Sequence, residues 1–187
     1  MKLIIIDGLD NVGKDLMCDH IRESYVDNNF YRHWGFPQGI TNQDKIEFQK
    51  MSFKKEFDLY TTLSKDNYFL DSPFIWNRSH LGEYVYGKMY RDYDPEWIFN
   101  LESVYGFDQR PEIYLVLMTA DAEFICSVDD GESFTSDVQK KEEEIQRFNQ
   151  AYNLSIIPNK LKIKVNEADS YRDLQRIREE FNSFIMH

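Results

Sequence analysis

The stretch Gly8-Leu9-Asp10-Asn11-Val12-Gly13-Lys14-Asp15 constrains this chain more than any other. An apolar run of strand length, Lys2-Leu3-Ile4-Ile5-Ile6, precedes it, and Leu16-Met17-Cys18-Asp19-His20-Ile21 follows as the start of a helix. Strand, glycine-framed loop with lysine, and helix make one unit. The glycines let successive backbone N–H groups turn inward toward a single anion. The helix N-terminus adds about half a positive charge at the same spot, and the lysine reaches outer phosphate oxygens. An ordinary glycine turn is the alternative, because Gly-x-x-x-x-Gly-Lys alone arises by chance; the flanking strand and helix favour a phosphate loop. One position departs from the pattern. A Ser or Thr hydroxyl that ligates magnesium is expected after Lys14, and Asp15 stands there instead.

Downstream, strand-like and helix-like segments alternate. The first helix should run from Lys14 to Val26, and Phe30-Tyr31-Arg32-His33-Trp34 reads as a second strand closed by Gly35-Phe36-Pro37-Gln38-Gly39. Thr41-Asn42-Gln43-Asp44 looks like a helix start, and that helix extends to Leu63. Pro73 to Trp76 is a short buried strand with Asn77-Arg78-Ser79 at its end, followed by a helix from His80 to Tyr90 and another from Asp94 to Tyr105. Glu112 to Met118 is a central strand, Ala122 to Ser127 a helical turn or two, and residues 128–137 a polar loop that would act as a lid. A charged helix from Asp137 to Tyr152, a last strand from Lys160 to Val165 and a terminal helix from Ser170 to Ile185 complete the chain. The run Lys140-Lys141-Glu142-Glu143-Glu144 reads as a solvated helix face. This alternation predicts an α/β fold: three layers, α/β/α, around a mostly parallel five-stranded sheet that carries the phosphate loop, in a single domain over 1–187. Ligands of such sheets bind beyond the carboxyl ends of the strands, where the phosphate loop, Phe36-Pro37-Gln38 and Asn77-Arg78 all fall.

Composition narrows the partners. Lys plus Arg is 22 against 33 Asp plus Glu, a net charge of −11, where a nucleic-acid backbone calls for a basic footprint. A small anionic ligand held by a local cluster of donors fits better. No apolar run is long enough to span a membrane, and the N-terminus enters a strand directly, so a cytoplasmic protein without a signal peptide is expected. Cys18 and Cys126 lack metal or redox spacing and read as free thiols of a reducing compartment. Aromatic residues make up 16% of the chain, most of them expected in the core and one or two available to stack on a planar base.

Taken together, these segments resemble the thymidylate kinase and deoxynucleoside kinase group, most of all the small deoxynucleotide kinases encoded by bacteriophages. Asp7-Gly8 resembles the acidic-Gly entry of that group, Gly35 to Gly39 its acceptor-phosphate loop, Phe48-Gln49 its base-reading Phe-Gln, and Asn77-Arg78-Ser79 its Asp-Arg motif. The resemblance implies Mg2+-dependent phosphoryl transfer from ATP to a deoxynucleotide, dTMP-like or a 5-substituted pyrimidine, or to a deoxynucleoside, in the host cytoplasm if phage-encoded, with a homodimer as the common assembly. It assigns donor phosphates to Gly8, Asp10, Asn11, Val12, Gly13, Lys14 and Asp15. Lys14, Arg78 and Asp7 become the catalytic set, Asp7 orienting or deprotonating an acceptor hydroxyl. Phe36, Gln38, Phe48, Gln49, Phe53, Arg78 and Tyr86 become the acceptor site, and Asp15 and Asn77 the magnesium ligands. His80 reads as a helix-start or core residue, and Glu83 as a cap.

Three departures stand against the group's pattern: Asp15 for the hydroxyl, Asn77 for the carboxylate of the Asp-Arg motif, and no arginine beside Val128 before Asp129-Asp130-Gly131. Either the magnesium carboxylate has moved from the strand end to the phosphate loop, or the site binds nucleotide or a partner without turnover. A kinase acting on modified bases in DNA is a further reading, disfavoured by the charge of −11.

Overall fold

A computed structural model describes residues 1–33, 40–66, 71–131 and 133–186, the side chains of residues 42 and 43 excepted. The first strand, β1 (Leu3–Gly8), is buried along its whole length. Both of its neighbours are parallel to it: β3 (Phe74–Asn77) on one side and β4 (Ile113–Thr119) on the other. With β2 (Asn29–Arg32) and β5 (Asn159–Lys164) at the edges, the sheet order is β2-β3-β1-β4-β5, every pair parallel. Leu3 to Ile6 and Ile113 to Leu117 are apolar without a break because helices cover both faces of a parallel sheet. The α/β/α expectation holds.

Helices α1 (Lys14–Glu23), α2 (Asn42–Leu63), α3 (His80–Tyr90), α4 (Ile98–Val104), α5 (Ala122–Ser127) and α6 (Val138–Leu154) supply the crossovers. Thr41 caps α2 by accepting a hydrogen bond from the Asp44 N–H. Under α2, Phe57 stacks on Phe107 at 4.8 Å and packs against Trp76, so most of the aromatic content is core. Register brings Ile6, Asn77 and Arg32 side by side at the carboxyl edge of three adjacent strands. That edge carries the site.

Three expectations need correction. The Lys140 to Glu144 run is not wholly solvated: Lys141 and Glu144 are fully buried, joined at 2.7 Å, and the Tyr90 hydroxyl donates to Glu144 at 2.7 Å. Spacing of three residues puts the pair on the α6 face that packs on α3, and a matched, hydrogen-bonded pair can be buried there. The helix expected from Asp94 is shorter and begins at Ile98. The terminal helix, α7 (Leu174–Ile185), starts late because Asp173 is its cap, accepting from the Arg176 N–H. Residues before it form a hairpin instead, β6 (Asn166–Glu167) with β7 (Ser170–Tyr171).

Candidate functional site

The phosphate loop is shaped by left-handed backbone. Gly8 has φ 137°, and a Cβ there would lie 1.9 Å from the Met118 carbonyl oxygen of the adjoining strand, so only glycine fits. Asn11 (φ 60°) and Gly13 (φ 79°) turn the chain again, and Gly13 ends the loop as the N-cap of α1 without any side-chain cap. The first N–H groups of α1 are therefore left for a ligand.

Lys14 lies back along this loop, donating to the carbonyl oxygens of Gly8 (3.0 Å) and Leu9 and standing 3.9 Å from the Asp10 carboxylate. Burial lowers its pKa to about 8, with Asp10 opposing. Arg78, at the end of β3, adopts φ 67° and approaches the same Asp10 oxygen at 3.3 Å. Such a backbone in an arginine costs on the order of 1 kcal/mol and is typical of functional positions.

The two departures from the motif touch each other. The Asn77 amide donates to the Asp15 carboxylate, and Asn77 Oδ1 is buried with no hydrogen-bond partner among the described residues. Arg32, at the end of β2, stands 3.6 Å from the same carboxylate. Sequence reasoning passed over Arg32; the register that pairs it with Asn77 was the missing information. Asp15 is 60% exposed, so its carboxylate is open to a hard cation such as magnesium, whereas Asn77 Oδ1 is buried behind the amide nitrogen that faces Asp15. Among the described residues no group of three or more His, Cys, Asp or Glu could hold a metal, so phosphate oxygens would have to complete any such sphere.

Asp7 has a structural task. Its Oδ2 accepts from the Ser79 N–H (3.0 Å), the Ser79 hydroxyl (2.9 Å) and the Gly82 N–H (3.0 Å), and its Oδ1 from the Gly8 N–H (2.9 Å). Ser79 makes no cap of its own for α3, and the Asp7 carboxylate takes that place. A buried carboxylate with both oxygens engaged is an anchor between phosphate loop and α3. Glu83 does not cap either; it pairs with Arg91. His80 is a core residue, 2.5 Å from the buried Glu102.

A cleft of about 750 Å3 opens over the loop, lined also by Arg32, Arg78, Phe134, Tyr171, Arg172 and Ile177. Tyr171 of the hairpin donates to the Asn11 carbonyl at 2.9 Å. From the loop after α5, Asp129 and Asp130 accept from the Asn11 amide at 3.3 and 3.4 Å, and Phe134 stacks on Tyr86 (4.9 Å) and Tyr90 (5.0 Å).

On the acceptor side, Phe36 and Gln38 lie outside the described residues. Phe48 is half-buried, while Gln49 is fully buried with both amide atoms unpartnered among the described residues. Phe53 is buried, its ring stacked on His33 at 4.2 Å, so one of its faces is already covered. Tyr86 lies between Phe134 and Phe148 with its hydroxyl unpartnered among the described residues, and burial raises its pKa well above the usual phenol value.

The whole architecture matches solved structures. The YorR protein of Bacillus subtilis, solved with phosphorylated GDP, superposes with a TM-score of 0.63 at 12% identity, covering 98% of this chain and 95% of that one. Thymidylate kinase from Candida albicans gives a TM-score of 0.58 at 15% identity, over 99% and 91% of the two chains. The fold is that of the thymidylate kinases. Thymidylate kinase from Ehrlichia chaffeensis agrees, with a TM-score of 0.58 at 14% identity over 100% and 98%. No family model and no curated protein matches the sequence. At such identities the thymidylate-kinase likeness speaks for the fold alone. No helix among the described residues is long and apolar enough to cross a membrane.

Proposed function

We propose that this protein transfers a phosphoryl group from ATP to a deoxynucleotide or deoxynucleoside with the help of magnesium. The observation that carries the reading is the Asp15–Asn77 hydrogen bond. It supports the reading because the Asp15 carboxylate lies against Asn77, with Arg32 at 3.6 Å, so that one negative charge would remain at the metal edge although both motif positions have changed. Phosphoryl transfer depends on positioning and charge neutralisation far more than on covalent work by the protein. Lys14 and the loop N–H groups hold the donor phosphates. Asp15, braced by Asn77, holds magnesium, which when bound neutralises charge on the phosphate oxygens. Arg78 and Arg32 flank the same space, and Arg32 supports the reading by offering a cation that the lid does not. Asp7 keeps loop and α3 in register and transfers no proton.

The phosphorylated GDP named with one structural neighbour and the thymidylate named with two others differ in base, so neither names the acceptor here. The test is product formation from ATP and magnesium with a panel of deoxynucleosides and deoxynucleoside monophosphates. A protein that binds triphosphate yet phosphorylates none of them is a nucleotide-binding protein instead. The contact of Asp129 and Asp130 with Asn11, where an arginine would serve a kinase, favours that second reading.

A further inference from the structure

Buried polar atoms in proteins are nearly all hydrogen-bonded, so a cluster that is not calls for an explanation. Such a cluster lies around Phe53. Gln49, Phe53 and Glu56 follow one another on a single stripe of α2, at the spacing that puts side chains one above the next. His33, just beyond β2, stacks on Phe53 and is bonded through Nδ1 to Glu56 Oε1 at 2.6 Å. Its backbone N–H is tied to the Asn77 carbonyl at 3.1 Å, which fixes the ring at the carboxyl edge of the sheet. Trp97 packs against the other side of Phe53 at 6.5 Å. Among the described residues, His33 Nε2, both amide atoms of Gln49, Glu56 Oε2, Glu83 Oε1 and Trp97 Nε1 are all buried without a partner. Gln49, Glu56 and Glu83 are 0%, 2% and 3% exposed.

The kinds of atom are informative. Gln49 cannot choose between ligands, because its amide can turn over and offer either end. Glu56 can only accept while ionised, since its other oxygen is held by His33. In the tautomer that gives its Nδ1 proton to Glu56, His33 presents Nε2 as an acceptor too. The Tyr31 phenol is hydrogen-bonded to Glu56, and burial raises its pKa to about 12, so it stays neutral and donates to that carboxylate. Of the unpartnered atoms, Trp97 Nε1 and the Gln49 amide nitrogen are donors, whereas Glu56 Oε2 and Glu83 Oε1 are carboxylate oxygens, and these two are the groups that call for a donor from a ligand. An amino group brings two N–H donors to such oxygens, whereas a carbonyl oxygen in the same place would face lone pairs.

We propose that this cluster of unpartnered groups selects an acceptor whose base carries an exocyclic amino group, with Glu56 as the residue that reads it, His33 as the residue that positions Glu56, and Gln49 on the neighbouring ring edge. This inference rests on the kinase reading and replaces the thymine-like acceptor expected from resemblance. Carboxylates accept from the amino group of cytosine in the same way in other recognition settings. A sugar hydroxyl is the competing ligand for Glu56, since it too can donate.

Calorimetric titration separates these cases. Deoxycytidine against deoxyuridine, and deoxyadenosine against deoxyinosine, are each tested as nucleoside and as 5′-monophosphate, with magnesium and a non-hydrolysable ATP analogue present. The amino member of at least one pair should bind about 10- to 100-fold tighter. Glu56→Gln should shrink that ratio about tenfold, because an amide can turn to face a carbonyl; a merely structural Glu56 would weaken both members alike and leave the ratio unchanged. Equal binding within both pairs, or a preference for the carbonyl member, overturns the proposal. So does a loss on removing the 3′-hydroxyl, using dideoxycytidine, when amino and carbonyl forms bind equally. If the ATP analogue binds but no base-bearing acceptor does, the kinase reading fails together with this one.

Discussion

The two ends of the site handle their polar groups in opposite ways. At the phosphate loop the charged groups already have partners, although Asn77 Oδ1 and Arg78 Nε are left over among the described residues: Lys14 has the Gly8 and Leu9 carbonyls, Arg78 has Asp10, and Asp15 has Arg32 and the Asn77 amide. Around Phe53, buried donors and acceptors stand without partners among the described residues. The first arrangement is self-contained, and a ligand must displace contacts that the protein makes with itself. The second carries a cost of about 1–3 kcal/mol for each unmet group until something fills it. An end that satisfies itself says little about its ligand. The unsatisfied end specifies what the ligand must bring.

Removing the lysine breaks the first end most directly. Lys14→Ala should lower ATP affinity about 100-fold, the worth of charge-assisted bonds to phosphate. Equilibrium titration with a fluorescent ATP analogue reads this, with the melting curve confirming that the variant folds. If the variant binds as tightly as the parent, the cleft over the loop is not a phosphate site, and the comparison between the two ends loses one of its members.

The metal edge gives a smaller effect and a sharper test. Asp15→Ser removes the carboxylate and the partner of Arg32, while Asn77→Asp places two carboxylates in contact. Each alone should lower kcat about 10- to 100-fold at fixed magnesium, and the pair together should recover most of the loss, because one carboxylate is again present at the same edge. Residues in direct contact are expected to couple in this way. Simple additivity across the four proteins would sink the idea that the carboxylate has moved. A second reading comes from chelation. With Asp15 in place, stripping magnesium should weaken ATP binding more than it does in Asp15→Ser, since an uncompensated aspartate repels phosphate.

How much of this was legible in the sequence follows the same division. The sheet, its order of elements and the phosphate loop could be read because they rest on local patterns: apolar runs in β1 and β4, glycines at left-handed positions, Thr41 and Asp137 as caps. Asp15 and Asn77 stood out as departures from a motif, though their contact did not. What could not be read depends on residues far apart in sequence. Asp7 looks like a catalytic carboxylate until the N-terminus of α3 is seen to close on it. Lys141 and Glu144 look solvated until α6 packs against α3. Glu56 looks like one more acid on a surface helix, and only the sheet edge that brings His33 to it reveals its burial. One local sign was available, for Glu56 lies on the same stripe as Gln49 and Phe53.

The smallest expected effect tests the second end without any ligand. If the unpartnered amide of Gln49 is held in place for an acceptor, it lowers stability in the free protein. Gln49→Leu removes two unmet polar atoms and leaves an apolar side chain of similar length on the buried stripe of α2, which should stabilise the free fold by about 1 kcal/mol. The same change should abolish acceptor binding and leave ATP binding intact. Urea unfolding monitors the first effect, with an unchanged m-value showing that the same surface is exposed on unfolding. At the phosphate end the gain should be offset: Asn77→Leu removes the unmet Oδ1 but also loses the amide's bond to Asp15, so it should be neutral or destabilising. Opposite signs for these two amide-to-leucine changes would establish that one end is built around its own contacts and the other around a ligand's. A loss of stability at Gln49 as large as that at Asn77 would instead mean that the Gln49 amide is satisfied in solution, and the amino-reading pocket would have to be argued from Glu56 and His33 alone.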